Sequence, residues 1–321
     1  MRRRYHHGMN FFAIFIALLL EQARPLGQEN PVHRMARAWT RWVRRSLDAG
    51  QAQHGWLAWL AAVGGPTLLT AAVHLLLSQF SLLLDFAWMV LVLYLTLGFR
   101  QFSHHYTVIR DALEAGDEAT ARAELAEWQQ VDVVDLPRQE LLRHVIEYSA
   151  LAAHRHVFGV LLSFTLLALL GLGPAGAVQY RMAERLARRW LPRLQDAPSP
   201  AAQQAAAVAW RWIDHFPARA TALAFAVVGD FEEAIAAWRQ DAARFGQPND
   251  GVVLAATSGA INVRLGGRAL GTPTPAGDMA SLTDGREPQL AHLASLVGLV
   301  WRSVVLWLLL LALMTLARSV G

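Results

Sequence analysis

The chain contains no cysteine and no lysine, so all 29 of its basic residues are arginines. The lack of cysteine excludes disulfides, thiolate nucleophiles and zinc sites with cysteine ligands. The lack of lysine excludes Schiff-base chemistry, a pyridoxal anchor and the lysine of a P-loop. Any recognition of phosphate or carboxylate must therefore use arginine, whose planar guanidinium suits bidentate contacts.

Charged residues are also scarce. They make up 17% of the 321 residues, against 54% apolar residues, and the mean hydropathy is positive at +0.26. Because the apolar residues are clustered in runs, this balance predicts an all-α, polytopic integral membrane protein with small helical extramembrane regions. The net charge of +4 is mild and, beside such runs, indicates a membrane surface rather than nucleic acid as the partner.

We expect three to five apolar segments within a single membrane domain over residues 1–321, since a helix of about 20 apolar residues crosses the hydrocarbon core. Residues 9–20 form a short run that favours a retained or partly embedded helix, with the start at Met1 or Met9 left open. Residues 216–228 form a weaker run that is too short for a firm assignment. The longer runs are residues 56–77, 82–99, 157–178 and 296–316.

The segments between these runs are polar. Residues 21–55 carry arginines at helical spacing beside tryptophans, which is typical either of a helix on a bilayer interface or of a solvated helix. Residues 100–155 predict a soluble helical hairpin in which Gly116 ends one helix and Asp117 caps the next. Residues 229–295 predict a polar region of helix and loop before the last span.

Few side chains form a pattern that carries chemistry. His74 and Asp85 lie inside apolar runs, and we interpret them as residues at a membrane interface. The pairs His104-His105 and His154-x-His156 place neighbouring rings on different helix faces, so we predict no metal site there. Acids at the ends of apolar runs suit helix capping or, through their oxygens, Mg²⁺; they are Glu147, Asp214, Asp230 and Asp250.

Residues 248–267 read PNDGVVLAATSGAINVRLGG. The opening Pro-Asn-Asp-Gly is a strong turn signal, and the small residues that follow allow another backbone or a ligand to approach closely. One interpretation is a loop followed by a small-residue helix packed in a bundle. The other is a surface that faces a ligand.

Several motifs together resemble one family. They are Asn30-Pro-Val-His-Arg34, Leu113-Glu-Ala-Gly-Asp117, Glu147-Tyr-Ser149, Phe216-Pro-Ala-Arg-Ala-Thr-Ala-Leu223 and, most specifically, Pro248-Asn249 with Gly251, Gly259 and Val263-Arg-Leu-Gly-Gly267. In these segments the chain resembles the CobD/CbiB family of cobalamin-biosynthesis membrane proteins and its relative AmpE. The similarity covers most of the chain.

The resemblance implies an ATP- and Mg²⁺-dependent ligase that joins adenosylcobyric acid to aminopropanol phosphate through an amide bond. It implies a multi-pass protein of the bacterial inner membrane that contacts the lipid bilayer, a corrinoid substrate and a possible membrane-protein partner. By resemblance Glu147 would be catalytic. The substrate-binding residues would be Arg219, Asn249, Asp250, Gly251, Arg264, Gly266 and Gly267.

The chain also departs from the family pattern. After Glu147 the family continues with further acids, whereas this chain has Tyr148 and then histidines at 154 and 156. Asp250 stands where the family usually has alanine. The alternative is therefore a non-enzymatic, AmpE-like membrane sensor linked to cell-wall or β-lactamase regulation, which keeps the architecture without the chemistry.

Overall fold

The computed structural model describes residues 2–24, 31–131, 136–190, 198–267, 270 and 281–320. Over these ranges the regular elements are all helical, and the one β-bridge between described residues is an isolated contact of Val263 with Arg286. The all-α prediction is confirmed. The helices are α1 (Arg2–Ala23), α2 (Pro31–Leu47), α3 (Ala52–Phe80), α4 (Leu82–Thr96), α5 (Phe99–Glu114), α6 (Glu118–Gln129), α7 (Arg138–Leu169), α8 (Ala175–Arg189), α9 (Pro200–Ile213), α10 (His215–Val228), α11 (Phe231–Asp241), α12 (Pro248–Ile261) and α13 (Leu290–Val320).

Three of the described helices are long and apolar enough to cross a membrane, judged by length and composition. They are Ala52–Phe80, Arg138–Leu169 and Leu290–Ala317. The first and third contain the predicted runs 56–77 and 296–316, which confirms those two predictions. Shorter apolar helices cover Met9–Ala23 and His215–Val228, so the runs at 9–20 and 216–228 are helical but short. The chain therefore has the apolar helices of a polytopic membrane protein.

Two predicted spans are wrong in their bounds. The run at 82–99 forms only the 15-residue helix α4, because the backbone adopts an extended conformation at Leu97 and the helix ends there. The run at 157–178 is not one helix: Gly171 and Gly173 adopt positive φ and break it after α7. The apolar helix extends backwards to Arg138 instead, so the end of the predicted soluble region 100–155 belongs to a candidate span.

Residues 1–99, 155–217 and 311–321 form one compact unit. Its core combines apolar residues of α2, α3, α8 and α9, such as Val43, Trp59, Leu186 and Ala205. Glycines allow close helix approach here: a Cβ at Gly55 would lie 2.7 Å from the backbone of Ala201. The basic segment predicted within 21–55 forms the helix α2, with residues 25–30, including Asn30, outside the described part of the chain.

Residues 100–154 and 218–310 form a second compact unit. The predicted hairpin of α5 and α6 is confirmed: Gly116 has φ +79° and the Asp117 carboxylate accepts the N–H of Thr120 at 3.0 Å. The apolar stripe is buried at Leu113 and Leu125. Residues 132–135, which follow the hairpin, and residues 271–280 of the polar region lie outside the described residues. The prediction of a single domain stays a prediction.

A further expectation from the sequence is wrong. Pro248 does not begin a loop but occupies the first turn of α12, where a proline is tolerated because its missing N–H would have no helical partner. The interfacial position predicted for His74 and Asp85 stays a prediction. Both are buried, and His74 Nδ1 lies 2.5 Å from the Asp85 carboxylate, so the two side chains are paired inside the first unit.

Candidate functional site

The helix α12 lies at the centre of the second unit and is buried along nearly its whole length. Its small residues let the neighbouring chain approach. A Cβ at Gly259 would lie 2.6 Å from the Cα of Ala234 on α11, and one at Gly251 would lie 2.9 Å from the Cβ of Phe245. The prediction of a small-residue helix packed in a bundle is confirmed. The absent side chain of Gly251 therefore serves packing against the protein's own chain.

α12 ends in a fixed loop over residues 263–267, hereafter the 263–267 loop. Asn262 takes the left-handed conformation that ends the helix, and the Ser258 hydroxyl donates to the Val263 carbonyl at 2.7 Å. Thr283 secures the middle of the loop: its hydroxyl accepts the N–H of Leu265 at 2.8 Å, and its own N–H donates to the Leu265 carbonyl at 3.1 Å. The loop is therefore held by backbone and hydroxyl contacts at each step.

The far end of the loop is attached to Glu147 on α7. The N–H of Gly266 donates to Glu147 Oε1 at 2.7 Å, although the two residues are 119 positions apart in the chain. Gly266 has φ +80°, and a Cβ there would collide with the Leu282 side chain, so only glycine fits without strain. Two different sequence motifs assigned Glu147 and Gly266 to one site, and the structure brings these two residues together.

Glu147 is itself held by its neighbours on α7. Arg143 Nη1 donates to Glu147 Oε1 at 2.9 Å, and His144 Nδ1 lies 3.5 Å from Oε2. Arg143 is buried and also donates from Nε to Glu140 at 3.2 Å. Arg143 and Glu140 were missed in reasoning from the sequence. The spacing of Glu140, Arg143 and Glu147 by three and four residues was the signal, because such residues meet on one helix face.

A second pair of predicted residues also meets. Arg219 on α10 donates from Nη1 to the side-chain carbonyl of Asn249 at 3.3 Å. Asn249 is buried in the first turn of α12, whereas its neighbour Asp250 is half-buried. Close by on α10, the Thr221 hydroxyl lies 2.9 Å from His154 Nδ1. α10 is therefore tied to α7 and α12 by polar side chains.

Arg264 stands apart from these buried pairs. It is exposed, and its guanidinium forms an ion pair with Glu287 at 3.3 Å in which both side chains are about half exposed. Gly267 is exposed with φ +119° at the end of the loop. Of the predicted site residues, Arg264 is thus the cation that solvent reaches most easily, carried on the 263–267 loop.

Within the described part of the chain, no group of three or more His, Asp or Glu side chains could together hold a metal ion. Two of the histidines named from the sequence, His105 and His154, have other partners. His105 lies 2.7 Å from Glu124 and stacks on Trp128 with ring centroids 5.7 Å apart, while His154 faces Thr221. The carboxylates of Glu140 and Glu147 both face Arg143. These donors do not fit a dedicated Mg²⁺ site, which needs carboxylate oxygens free to face the ion.

The profile of the CobD/CbiB protein family matches residues 11–300, nearly the whole chain. The chain belongs to the CobD/CbiB family. The matched residues include both halves of the candidate site, from Glu147 to Gly267. The resemblance stated from the motifs is therefore confirmed, and membership places the chain among proteins of cobalamin biosynthesis.

Individual members of the CobD/CbiB family agree with this assignment. The chain is 30% identical over 312 residues to the cobalamin biosynthesis protein CobD of Stutzerimonas stutzeri, covering 94% of this chain and 96% of that protein. It is 34% identical over 208 residues to CobD of Chromobacterium violaceum, covering 62% and 64%. A 97-residue segment is 43% identical to CobD of Mycobacterium tuberculosis, covering 27% and 29%. No solved structure matches the chain.

Proposed function

We propose that this chain acts in the bacterial inner membrane as a multi-pass cobalamin-biosynthesis enzyme of the adenosylcobinamide-phosphate synthase type. It would join a carboxyl group of adenosylcobyric acid to the amine of aminopropanol phosphate. The observation that carries the proposal is the hydrogen bond of Gly266 to Glu147, because it unites the two segments to which the family resemblance assigns the site. The three long apolar helices support the membrane location.

Arg264 is the residue we propose to bind the substrate's anionic group. Its pair with Glu287 is exposed, and exposed ion pairs contribute at most about 1 kcal/mol. A carboxylate or phosphate of the substrate can therefore replace Glu287 at little cost. The guanidinium would then make charge-assisted bonds in place of a weak surface pair.

Arg219 is the second cation of the proposed site. It is partly buried, and it donates a hydrogen bond to the neutral side chain of Asn249. Together Arg219 and Asn249 offer donors that suit a polar group of the ligand, while Asp250 follows them in the first turn of α12. The proposal therefore gives Arg219 and Asn249 a shared role in binding.

Glu147 is best described as a positioning residue. Its oxygens face the Gly266 N–H, Arg143 and His144, so the carboxylate holds the end of the 263–267 loop. A catalytic role for Glu147, implied by the family resemblance, stays a prediction. We propose that Glu147 acts through the loop that carries Arg264.

Mg²⁺ and ATP remain expectations from the family. The carboxylates of Glu140 and Glu147 already face Arg143, so these two side chains are poorly placed to hold a metal ion. If ATP binds, its phosphates would find only arginine side chains as cationic partners, since the chain has no lysine. The AmpE-like alternative is not favoured, because the matched family and the relatives above are cobalamin-biosynthesis proteins.

The test is product formation by the purified, detergent-solubilised full chain. It is supplied with adenosylcobyric acid, aminopropanol phosphate, ATP and Mg²⁺, and adenosylcobinamide phosphate is measured by mass spectrometry. We expect product from the wild type, a large loss for Arg264→Ala, and no loss for Arg239→Ala, an exposed arginine of α11 in the same unit. The absence of both product and ATP consumption in the wild type would refute the proposed reaction.

A further inference from the structure

The first unit contains a large cavity that the proposed reaction does not use. Its volume is about 560 Å³, within the range of roughly 300–1,000 Å³ that is typical of ligand pockets. Residues of α2, α3, α4 and α8 line it, and most of the wall is apolar, including Trp39, Leu69, Val92 and Val178. A wall of this composition suits a hydrocarbon chain.

One part of the cavity wall is cationic. Arg181 and Arg185 of α8 line it. A smaller pocket shares Ala36, Met182 and Arg185 with the cavity and adds two more arginines, Arg37 and Arg189. The apolar cavity and the arginine-lined pocket are thus neighbours that meet at Arg185.

The arginines of the smaller pocket differ from the others on α8. Arg181 and Arg188 both pair with Glu184, at 3.3 and 2.8 Å. Arg37, Arg185 and Arg189 form no ion pair with any described residue. Three guanidiniums therefore line one small pocket, and Glu184, the carboxylate whose charge acts on Arg185 and Arg189, is already paired with Arg181 and Arg188.

Such crowding is electrostatically unfavourable without an anion. Burial, together with the neighbouring charge of Arg181, lowers the pKa of Arg185 to about 10. Partial burial and the charge of Arg37 likewise lower the pKa of Arg189, although this residue is exposed, and the charge of Glu184 offsets part of the effect at both arginines. Both guanidiniums nevertheless stay protonated at neutral pH, so they retain their positive charge. An anion with several acceptor oxygens would relieve the repulsion and satisfy their donors.

We infer that this cavity binds an anionic phospholipid of the bilayer, with its phosphate at Arg37, Arg185 and Arg189 and an acyl chain along the apolar wall. A free phosphate would leave that wall without a partner. A zwitterionic lipid would add a positive group next to three arginines. Basic pockets beside membrane helices are known to select anionic lipid head groups by this charge complementarity.

The helix α2 supports a position next to the bilayer. It is strongly amphipathic, with exposed Arg34, Arg41 and Arg45, and it supplies Arg37 to the pocket and Trp39 to the cavity wall. A basic, tryptophan-containing helix of this kind is attracted to anionic lipid surfaces. The same helix thus contributes to the proposed phosphate site and to the hydrocarbon site.

The test measures lipid binding to the full chain in detergent. Native mass spectrometry compares retention of added palmitoyl-oleoyl phosphatidylglycerol with that of the matching phosphatidylcholine. We expect one phosphatidylglycerol molecule to be retained in preference. The double variant Arg185→Gln/Arg189→Gln should weaken its binding by about tenfold or more, because it removes two charged donors to the phosphate.

Arg188→Gln is the matched control, because Arg188 lies on the same helix but pairs with Glu184 and lines neither pocket. It should retain phosphatidylglycerol like the wild type. Arg37→Gln, on a different helix, should lose it even if the double variant fails to fold, and Ala36→Phe should block it by filling the shared wall.

Three results would overturn the inference. They are equal retention of the two lipids, equal loss in Arg188→Gln, and displacement of the lipid by millimolar inorganic phosphate alone. The last would show that the arginines select phosphate without the acyl chain. The lipid readout involves no corrinoid, so its outcome is independent of the proposed reaction.

Discussion

The contact between Glu147 and Gly266 allows a quantitative prediction for Glu147→Ala. This change removes the acceptor of the Gly266 N–H at 2.7 Å and one of the two carboxylates that face the buried Arg143. Both interactions are well shielded, because only 12% of the Glu147 side chain and 5% of the Arg143 side chain are exposed. The loss is therefore not screened as it would be at a surface.

The magnitude follows from these two interactions. A hydrogen bond to a charged group contributes about 1.5–3 kcal/mol. Arg143 keeps Glu140 as a partner, so the full cost of a stranded buried charge, about 3–5 kcal/mol, does not apply. We expect a destabilisation of about 3 kcal/mol, which corresponds to a fall of roughly 4–5 °C in the apparent midpoint of unfolding for a chain of this size.

The assay combines two measurements on the detergent-solubilised protein. Thermal unfolding at a fixed heating rate gives the midpoint, and hydrogen exchange reports the protection of the Gly266 amide. Glu140→Ala is the matched control, because Glu140 also pairs with Arg143 but is not the acceptor of the Gly266 N–H. Loss of protection at Gly266 in Glu147→Ala and its retention in Glu140→Ala are expected. Equal protection and equal midpoints in both variants would refute the reasoning.

Two further predictions concern stability. Gly259→Ala should cost about 1–3 kcal/mol of stability, since its Cβ would overlap the backbone of Glu233. Gly298→Ala should be neutral or stabilising by up to about 1 kcal/mol, because a Cβ there would have no atom within 4 Å. The thermal midpoints of both variants check this. The hydroxyl and N–H of Thr120 hold the pKa of Asp117 below its usual value. The stability from this cap is therefore present above the unfolded pKa of about 4 and is lost as pH falls through the lower folded value. Protection factors of the amides at the start of α6, which correct each exchange rate for its intrinsic pH dependence, should fall with falling pH in the wild type, and a fall of equal size in Asp117→Asn would contradict this.

Local sequence signals predicted part of the fold well. The hairpin of α5 and α6 was predictable because Gly116 and Asp117 determine its turn through their own backbone and side chain. The helical character of 56–77 and 296–316 followed from run length alone. These features depend on neighbours in sequence, which a single chain displays directly.

Features that depend on distant residues were harder to predict. Pro248 suits a turn or a helix start equally well, and the burial of α12 against α11 favours the helix. The pairing of His74 with Asp85 was not predicted, because the sequence does not show that each is the other's partner. The bounds of α7 depended on where Gly171 and Gly173 broke the apolar run, and a hydropathy pattern does not resolve that position.

The candidate site was predictable as a set of motifs and not as a geometry. The resemblance selected Glu147 and Gly266 separately, but only the fold shows the hydrogen bond between them. It also shows that Gly251 serves packing and that Arg264 is exposed. Arg143 was missed because Glu147 was considered as an isolated acid at the end of an apolar run and Glu140 was not considered.

Corrinoid binding tests the proposed function most directly. Adenosylcobyric acid is titrated into the detergent-solubilised wild type and into Arg264→Ala, with Arg239→Ala as the control, and bound corrinoid is measured by its visible absorbance after gel filtration. We predict retention by the wild type and by Arg239→Ala and a large loss for Arg264→Ala. A wild type that retains no corrinoid, or an Arg264→Ala variant that retains as much as the wild type, would contradict the proposed role of the 263–267 loop.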